Sequence, residues 1–202
     1  MNLNEFKSKM GEWGGPMRTN RFLVRMATPL TMLNRSAINR NLEFWCDQVN
    51  WPGFLIGTHD VRRYTYGPIE KRPHIPNFTQ LQCSFINDST GFVWDFFNEW
   101  MQSIIPHTTV GETISGMSTP QNGGLVYELE YKNNYATDIS IDVFDTFGTK
   151  TYSIVCREAF PVQVPDLPLN WGDTNNLFRF QVILDFVDWY VDYSEGPIGG
   201  TE

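Results

Sequence analysis

Residues 157–190, REAFPVQVPDLPLNWGDTNNLFRFQVILDFVDWY, decide how this chain is read. A strand runs into Ala159-Phe160-Pro161. A proline-rich turn follows, then Leu169-Asn170-Trp171 and the polar turn Gly172-Asp173-Thr174-Asn175-Asn176. Residues 177–187 alternate and end in an aromatic cluster, so they read as a closing strand. No catalytic signature falls anywhere in the stretch.

Working outward, residues 139–144 and 150–157 flank Asp145-Thr146-Phe147-Gly148, a hairpin signal. Before them, 125–131 alternates, with Tyr127, Leu129 and Tyr131 opposite Val126, Glu128 and Glu130. In 78–86, Leu81, Cys83 and Phe85 share one face, and Gln80, Gln82 and Ser84 share the other. Residues 21–26 place Phe22, Val24 and Met26 on one side. Residues 42–49 read as a second strand closed by Trp51-Pro52-Gly53, and 58–66 as a third. Pro68, Pro73 and Pro76 make 67–77 irregular.

Between these strands the period changes. Phe92, Val93, Phe96, Phe97, Trp100 and Met101 recur at helical spacing, predicting an amphipathic helix over 91–105. Ser89-Thr90 would cap it and Pro106 would stop it. Its aromatic stripe is expected to pack on the sheet beside Phe160 and Trp171. Residues 106–124 read as a long loop. Residues 1–19 read as an arm whose short helix, carrying Leu3, Phe6 and Met10, ends at Gly14-Gly15-Pro16. Residues 192–202 form a loose tail. No βαβ alternation occurs, so the sheet is antiparallel. The expected fold is mainly β: an antiparallel sandwich or barrel over residues 20–191 with one packed amphipathic helix.

Composition narrows the chemistry. The net charge is -8, unevenly spread: residues 1–40 balance at +5 and residues 78–202 at -13. A nucleic-acid binder is usually basic, and this chain is not. A polarised monomer suits head-to-tail contact. Cys46, Cys83 and Cys156 include no CxxC pair and read as reduced core thiols. His59, His74 and His107 form no HxH or HExxH pair, so no zinc site is signalled. Cys46 with His59 could form a thiol–imidazole pair, yet no signature surrounds Cys46, and Phe44 and Trp45 beside it argue for burial. Asp142 with Asp145, or Glu128 with Glu130, could serve glycoside hydrolysis; carboxylates along a strand read more simply as a solvated face. No phosphate-binding glycine loop is present. No apolar run is long enough to span a bilayer, and no membrane insertion is expected.

The order of the elements resembles the tail tube proteins of contractile-tailed bacteriophages. Asn20-Arg21-Phe22-Leu23-Val24 is similar to the family's opening strand. Phe44-Trp45-Cys46-Asp47-Gln48-Val49 with Trp51-Pro52-Gly53 is similar to its second element. Phe85-Ile86-Asn87-Asp88 leads into the helix of Phe96, Phe97 and Trp100. Ala159-Phe160-Pro161, Leu169-Asn170-Trp171 and 180–189 complete the layout. The family includes baseplate tube initiators and, more distantly, the inner-tube protein of type VI secretion. Residues 28–40 and 106–124 have no counterpart in its pattern.

The resemblance implies a structural virion protein with no catalytic residues, cofactor or metal. It implies hexameric rings stacked head to tail into an inner tail tube, assembled in the host bacterial cytoplasm. Sheath and baseplate proteins would be partners, and viral DNA would pass through without specific binding. A tube initiator or tail-end adaptor is the alternative, and a tail-associated hydrolase a third. Gln80, Gln82 and Ser84 suit a water-filled lumen. Lys7, Lys9, Arg18 and Arg21 are candidates to meet Asp185 and Asp188 of the next subunit.

Overall fold

Phe85-Ile86-Asn87-Asp88 is where strand becomes helix, and local chemistry explains the switch. In the computed structural model, which describes residues 2–12, 15–32, 39–62, 67–105, 129–167, 169–172 and 176–193, Asp88 Oδ1 accepts from the Phe92 backbone N–H at 2.7 Å. Asn87 Oδ1 accepts from the Trp94 N–H at 3.2 Å. Two amides that a helix start leaves without partners are thus satisfied by the residues just before it. The cap is therefore Asn87-Asp88 rather than Ser89-Thr90. Thr90 instead donates its hydroxyl to Asp88 and holds that carboxyl below its ordinary pKa. Gly91, at φ 78°, turns the chain where a side chain would be strained.

In chain order the elements are α1 (Leu3–Glu12), β1 (Phe22–Met26), α2 (Asn39–Trp45), β2 (Cys46–Asn50), β3 (Phe54–Val61), β4 (Glu70–Phe78), β5 (Leu81–Ile86), α3 (Phe92–Ile104), α4 (Lys132–Tyr135), β6 (Thr137–Phe144), β7 (Lys150–Gln163), β8 (Arg179–Asp185) and β9 (Asp188–Asp192). All strand pairings are antiparallel. The strand order is β1-β6-β7-β8-β5-β2, with β9 also on β7, and β3-β4 stands apart as a two-stranded sheet.

The main sheet folds over at β7. Ser153 to Arg157 pair with β9, whereas Phe160 to Gln163 pair with β8. Between them Glu158 adopts φ 52°, a left-handed conformation uncommon outside glycine. Its N–H donates to Asp138 Oδ1 at 3.0 Å, and its carboxylate meets Lys132 Nζ at 2.6 Å. Pro161, which has no N–H to give, lies in the last stretch of β7, where β8 is its one partner among the described residues.

The helix α3 closes the open side of this bent sheet. Val93, Phe96, Phe97 and Trp100 are fully buried, as the stripe requires. Phe97 lies against Phe85 (ring centroids 4.8 Å apart) and Phe180 (6.0 Å). The Trp100 indole N–H donates to the Tyr135 carbonyl at 2.8 Å. Phe160 packs edge-on against Tyr135. Trp171 does not join this core: it is fully exposed beside Leu169.

Several sequence expectations are corrected. The strand over 42–49 is a helix followed by a short strand. Leu42 and Trp45, three apart, turn toward the core only in helical geometry. The third strand begins earlier, at Phe54, and 63–66 lie outside the described residues. Residues 70–78 are regular despite Pro73 and Pro76. Prolines three apart would normally point their nitrogens to opposite edges. The register shift at Gly57/Thr58 leaves His74 unopposed, so both prolines face away from the partner strand. Gly53 and Thr79 clamp the hairpin's base: Gly53 N–H donates to Thr79 Oγ1 at 2.6 Å, and a Cβ on Gly53 would lie 2.8 Å from that oxygen. Thr79 and Gln80 are thus a link, and the strand starts at Leu81. Residues 129–131 belong to no strand and lead into α4, with the Glu130 N–H donating to the Ile104 carbonyl at 3.0 Å; 125–128 and the loop over 106–124 lie outside the described residues. The closing strand continues past Phe186 as β9, and 194–202 are outside the described residues.

Candidate assembly surfaces

The outer face of the β2-β5-β8 layer is a carpet of neutral amides. Leu81, Cys83 and Phe85 are fully buried, so Gln82 and Ser84 face the other way. Gln82 Oε1 accepts from Asn50 Nδ2 at 3.0 Å and from Gln181 Nε2 at 3.1 Å, linking three strands. Gln48 lies opposite Ser84, which in turn lies opposite Gln181. One ion pair crosses the face, Arg179 to Asp47 at 3.0 Å. Gln80, exposed, sits on the link before β5 rather than in the strand. Sequence reading found Gln82 and Ser84 but missed Gln48, Asn50 and Gln181. Phe180, Val182 and Leu184 alternate inward around Gln181, and that signal was available.

The β3-β4 hairpin is the second surface. Its strands pair only with each other among the described residues. Leu55, Ile56 and Ile75 are 61%, 50% and 49% exposed. Two strands alone are marginal in water, so a hairpin displaying large aliphatics calls for a covering partner. His59 packs edge-on against His74 there, 5.4 Å between ring centroids. The thiol–imidazole reading has no support, because Cys46 instead donates weakly to the Gln48 carbonyl at 3.5 Å.

The candidate inter-subunit charges divide into two groups. Lys7, Lys9 and Arg18 are exposed and have no ion-pair partner among the described residues. Arg21 and Asp188 are engaged within the chain. Arg21 Nη1 donates to the carbonyls of Asp145 (3.1 Å) and Thr146 (2.5 Å) and braces the β6-β7 turn. Arg157 grips both oxygens of Asp188, which holds that carboxyl below its ordinary pKa and the guanidinium above. Asp185 Oδ1 accepts from the Phe186 N–H at 3.0 Å.

Asp142 and Asp145, weighed for hydrolysis, are each engaged with other groups. Asp142 is 1% exposed, which corrects the solvated-face reading. It accepts from Ser153 Oγ and faces Arg25 Nε at 3.2 Å and Lys150 Nζ at 3.4 Å. Asp145 caps the hairpin turn through the Thr146 N–H. Glu130 Oε1 accepts from Asn134 Nδ2 at 2.6 Å; Glu128 lies outside the described residues. Among the described residues no cluster of His, Cys, Asp and Glu is arranged to hold a metal, and no helix is long and apolar enough to cross a membrane.

The three cysteines are free. Cys46 is half-buried, while Cys83 and Cys156 are fully buried. A hydrogen bond with Cys46, then burial, pushes the Cys83 thiol well above its ordinary value; burial pushes Cys156 up to about 12. Thiolates are the reactive form, so both stay inert near neutral pH. Alkylation of the native protein at pH 8 is expected to modify Cys46 at most. Mass spectrometry showing rapid labelling of Cys83 or Cys156 before unfolding would contradict the packing.

Among the described residues, β1, β2 and β9 each pair on one side only, one sheet face is covered by amides, and the β3-β4 hairpin displays aliphatics. The chain matches the family described as phage tail tube protein over residues 17–192, and it belongs to that family. The family is structural, not enzymatic. The fold is shared with solved chains of low identity. A chain in the cryo-EM structure of the anti-feeding prophage baseplate matches at TM-score 0.58 and 11% identity, over 87% of this chain and 95% of that one. One in the sheath-tube complex of an extracellular contractile injection system, PVC, matches at TM-score 0.56 and 13% identity, over 96% and 99%. One in the PVC sheath/tube terminator structure matches at TM-score 0.55 and 15% identity, over 88% and 96%. No curated protein matches the sequence.

Proposed function

We propose that this chain is the subunit of an inner tail tube: hexameric rings stacked head to tail, with the β2-β5-β8 face lining the lumen through which viral DNA leaves. The observation that carries this reading is that face, found in a chain of the tail tube family. Gln48, Asn50, Gln82, Ser84 and Gln181 offer hydrogen bonds to water but no free cation, since Arg179 is paired with Asp47. A basic wall would hold phosphates by releasing counterions; a neutral one lets DNA slide. Joining sheets between subunits would also pair the edges of β1, β2 and β9 that have no partner strand among the described residues; open edges invite uncontrolled pairing. The β3-β4 hairpin, with its aliphatics exposed, would be covered by an adjacent ring. Sheath and baseplate proteins are the expected partners, the virion tail the expected location, and the bacterial cytoplasm the place of assembly.

Negative-stain microscopy of the purified protein tests this. Long tubes of uniform width are expected at moderate concentration and salt. A strictly monomeric protein in light scattering overturns the proposal. The second reading, a tube initiator or terminator, rests on the likeness to baseplate and terminator chains at nearly the same TM-score. It predicts single rings or short stacks instead.

The lumen assignment has its own test. Gln82→Lys with Ser84→Lys is expected to leave assembly intact and to slow genome ejection from reconstituted particles, because each lysine adds a phosphate contact. Ejection at the normal rate would mean that this face does not line the channel.

A further inference from the structure

The β2-β5-β8 face carries one cation, and that cation is answered by one anion. Among the residues of these three strands, Arg179 is the sole lysine or arginine. Its side chain is 57% exposed, and its Nε meets Asp47 Oδ2 at 3.0 Å. The two residues lie two strands apart, with β5 between β2 and β8. Arg179 opposes Ile86 in the register and reaches over β5 to the carboxylate.

A bulge makes room for that carboxylate. β2 pairs Cys46 with Phe85 and Gln48 with Ser84, so Asp47 is an extra residue with no partner on β5. A regular ladder starting from Cys46 and Phe85 would set Gln48 opposite Cys83 and Val49 opposite Gln82. Cys83 is fully buried, so Gln48 would enter the core and Val49 would leave it. The bulge returns Val49 to the core, opposite Cys83, and leaves Asp47 and Gln48 both exposed.

What the pair supplies is neutrality. An exposed ion pair is weak, so a passing phosphate can compete for the guanidinium. DNA binding gains from the counterions released when a net positive charge neutralises phosphate. With Asp47 beside it, Arg179 brings no net positive charge to that exchange, and the carboxylate repels the phosphate at the same place. The amides around the pair cannot substitute for it, because they carry no charge.

We infer that Asp47 keeps the tube wall from gripping DNA: it cancels the charge of Arg179, the one cation of the β2-β5-β8 strands, in every subunit. This rests on the lumen reading above and assigns, within that face, the residue on which its neutrality depends. The group it turns away is the phosphate backbone, whatever the base sequence.

The test is genome ejection from reconstituted particles built with full-length variant tubes. Asp47→Asn keeps the size and loses the charge. It is expected to slow ejection about tenfold at low salt and to regain the wild-type rate as salt rises, because a cation repeated in every subunit then binds phosphate through counterion release. Adding Arg179→Gln is expected to restore the wild-type rate, as is the exchanged pair Asp47→Arg with Arg179→Asp. Wild-type ejection by Asp47→Asn at low salt overturns the inference. So does a slowing that salt does not relieve, or one that Arg179→Gln does not rescue; Arg18, which lines a cleft with Asp47, would then be the cation set free. Tubes mixed from wild-type and Asp47→Asn chains keep the test open where the pure variant does not assemble. Ejection time then rises with the variant's share, and a flat response overturns the inference. Gln82→Lys with Ser84→Lys is the control for the face itself. If it slows ejection and Asp47→Asn does not, this inference fails alone; if neither does, the lumen reading falls with it.

Discussion

Replacing Trp100 with alanine is expected to lower the free energy of unfolding by about 3–5 kcal/mol, the usual cost of deleting a large core aromatic. The side chain is fully buried, lies beside Phe96 and Phe97, and anchors α3 to the Tyr135 carbonyl through its indole N–H. Two losses combine: a cavity at the centre of the helix–sheet interface, and a buried carbonyl without its donor. Trp100→Phe separates them. It fills most of the space but leaves the Tyr135 oxygen unpaired, and is expected to cost about 1–3 kcal/mol. Urea denaturation followed by far-UV circular dichroism measures both. A midpoint unchanged in the alanine variant would mean that α3 is held by something other than this stripe.

The second large effect is expected at Asp142. Its buried carboxylate accepts from Ser153 and faces both Arg25 and the mostly buried Lys150. Asp142→Ala removes the buried anion that Arg25 and Lys150 share and leaves an apolar gap in its place, while Arg25 keeps Glu43 at 3.7 Å. Breaking a buried pair from one side costs about 3–5 kcal/mol, and the half-exposed Arg25 recovers part of that in water, so about 2–3 kcal/mol is expected. Asp142→Asn keeps the volume and an acceptor for Ser153, and is expected to cost less. The comparison is made by urea unfolding at low and high salt. If alanine costs less than about 0.5 kcal/mol, the cluster is ornamental to stability.

These two residues also mark what the sequence could and could not convey. Trp100 was legible because its neighbours at three- and four-residue spacing place it on the buried side of a helix. The alternation of Leu81, Cys83 and Phe85 was legible for the same reason in a strand. Asp142 was not. A single carboxylate in an alternating run looks solvated until the fold brings Arg25 from β1 and Lys150 from β7 beside it. The pairing of β1 with β6 joins residues more than a hundred positions apart, and no local pattern encodes it. Pro73 and Pro76 misled for a related reason. Their cost depends on which edge of the hairpin their nitrogens face, and one register shift decides that. Trp171 misled in the opposite direction, since a tryptophan near the end of a β domain reads as core, whereas this one is fully exposed. Of the candidate surface, Gln82 and Ser84 were legible from one strand, whereas Gln48, Asn50 and Gln181 join them only through strand order.

The bend at Glu158 has a mechanical meaning. Because β7 runs through both layers, and the β8–β9 segment follows it around the corner, neither layer can be peeled off while the other stays intact. Strain applied to the outer layer by one contact reaches the inner layer along a continuous peptide backbone rather than across side chains that can slip. In the proposed tube, a ring made of such units would resist ovalisation, and its bore would gain stiffness from a single fourteen-residue strand.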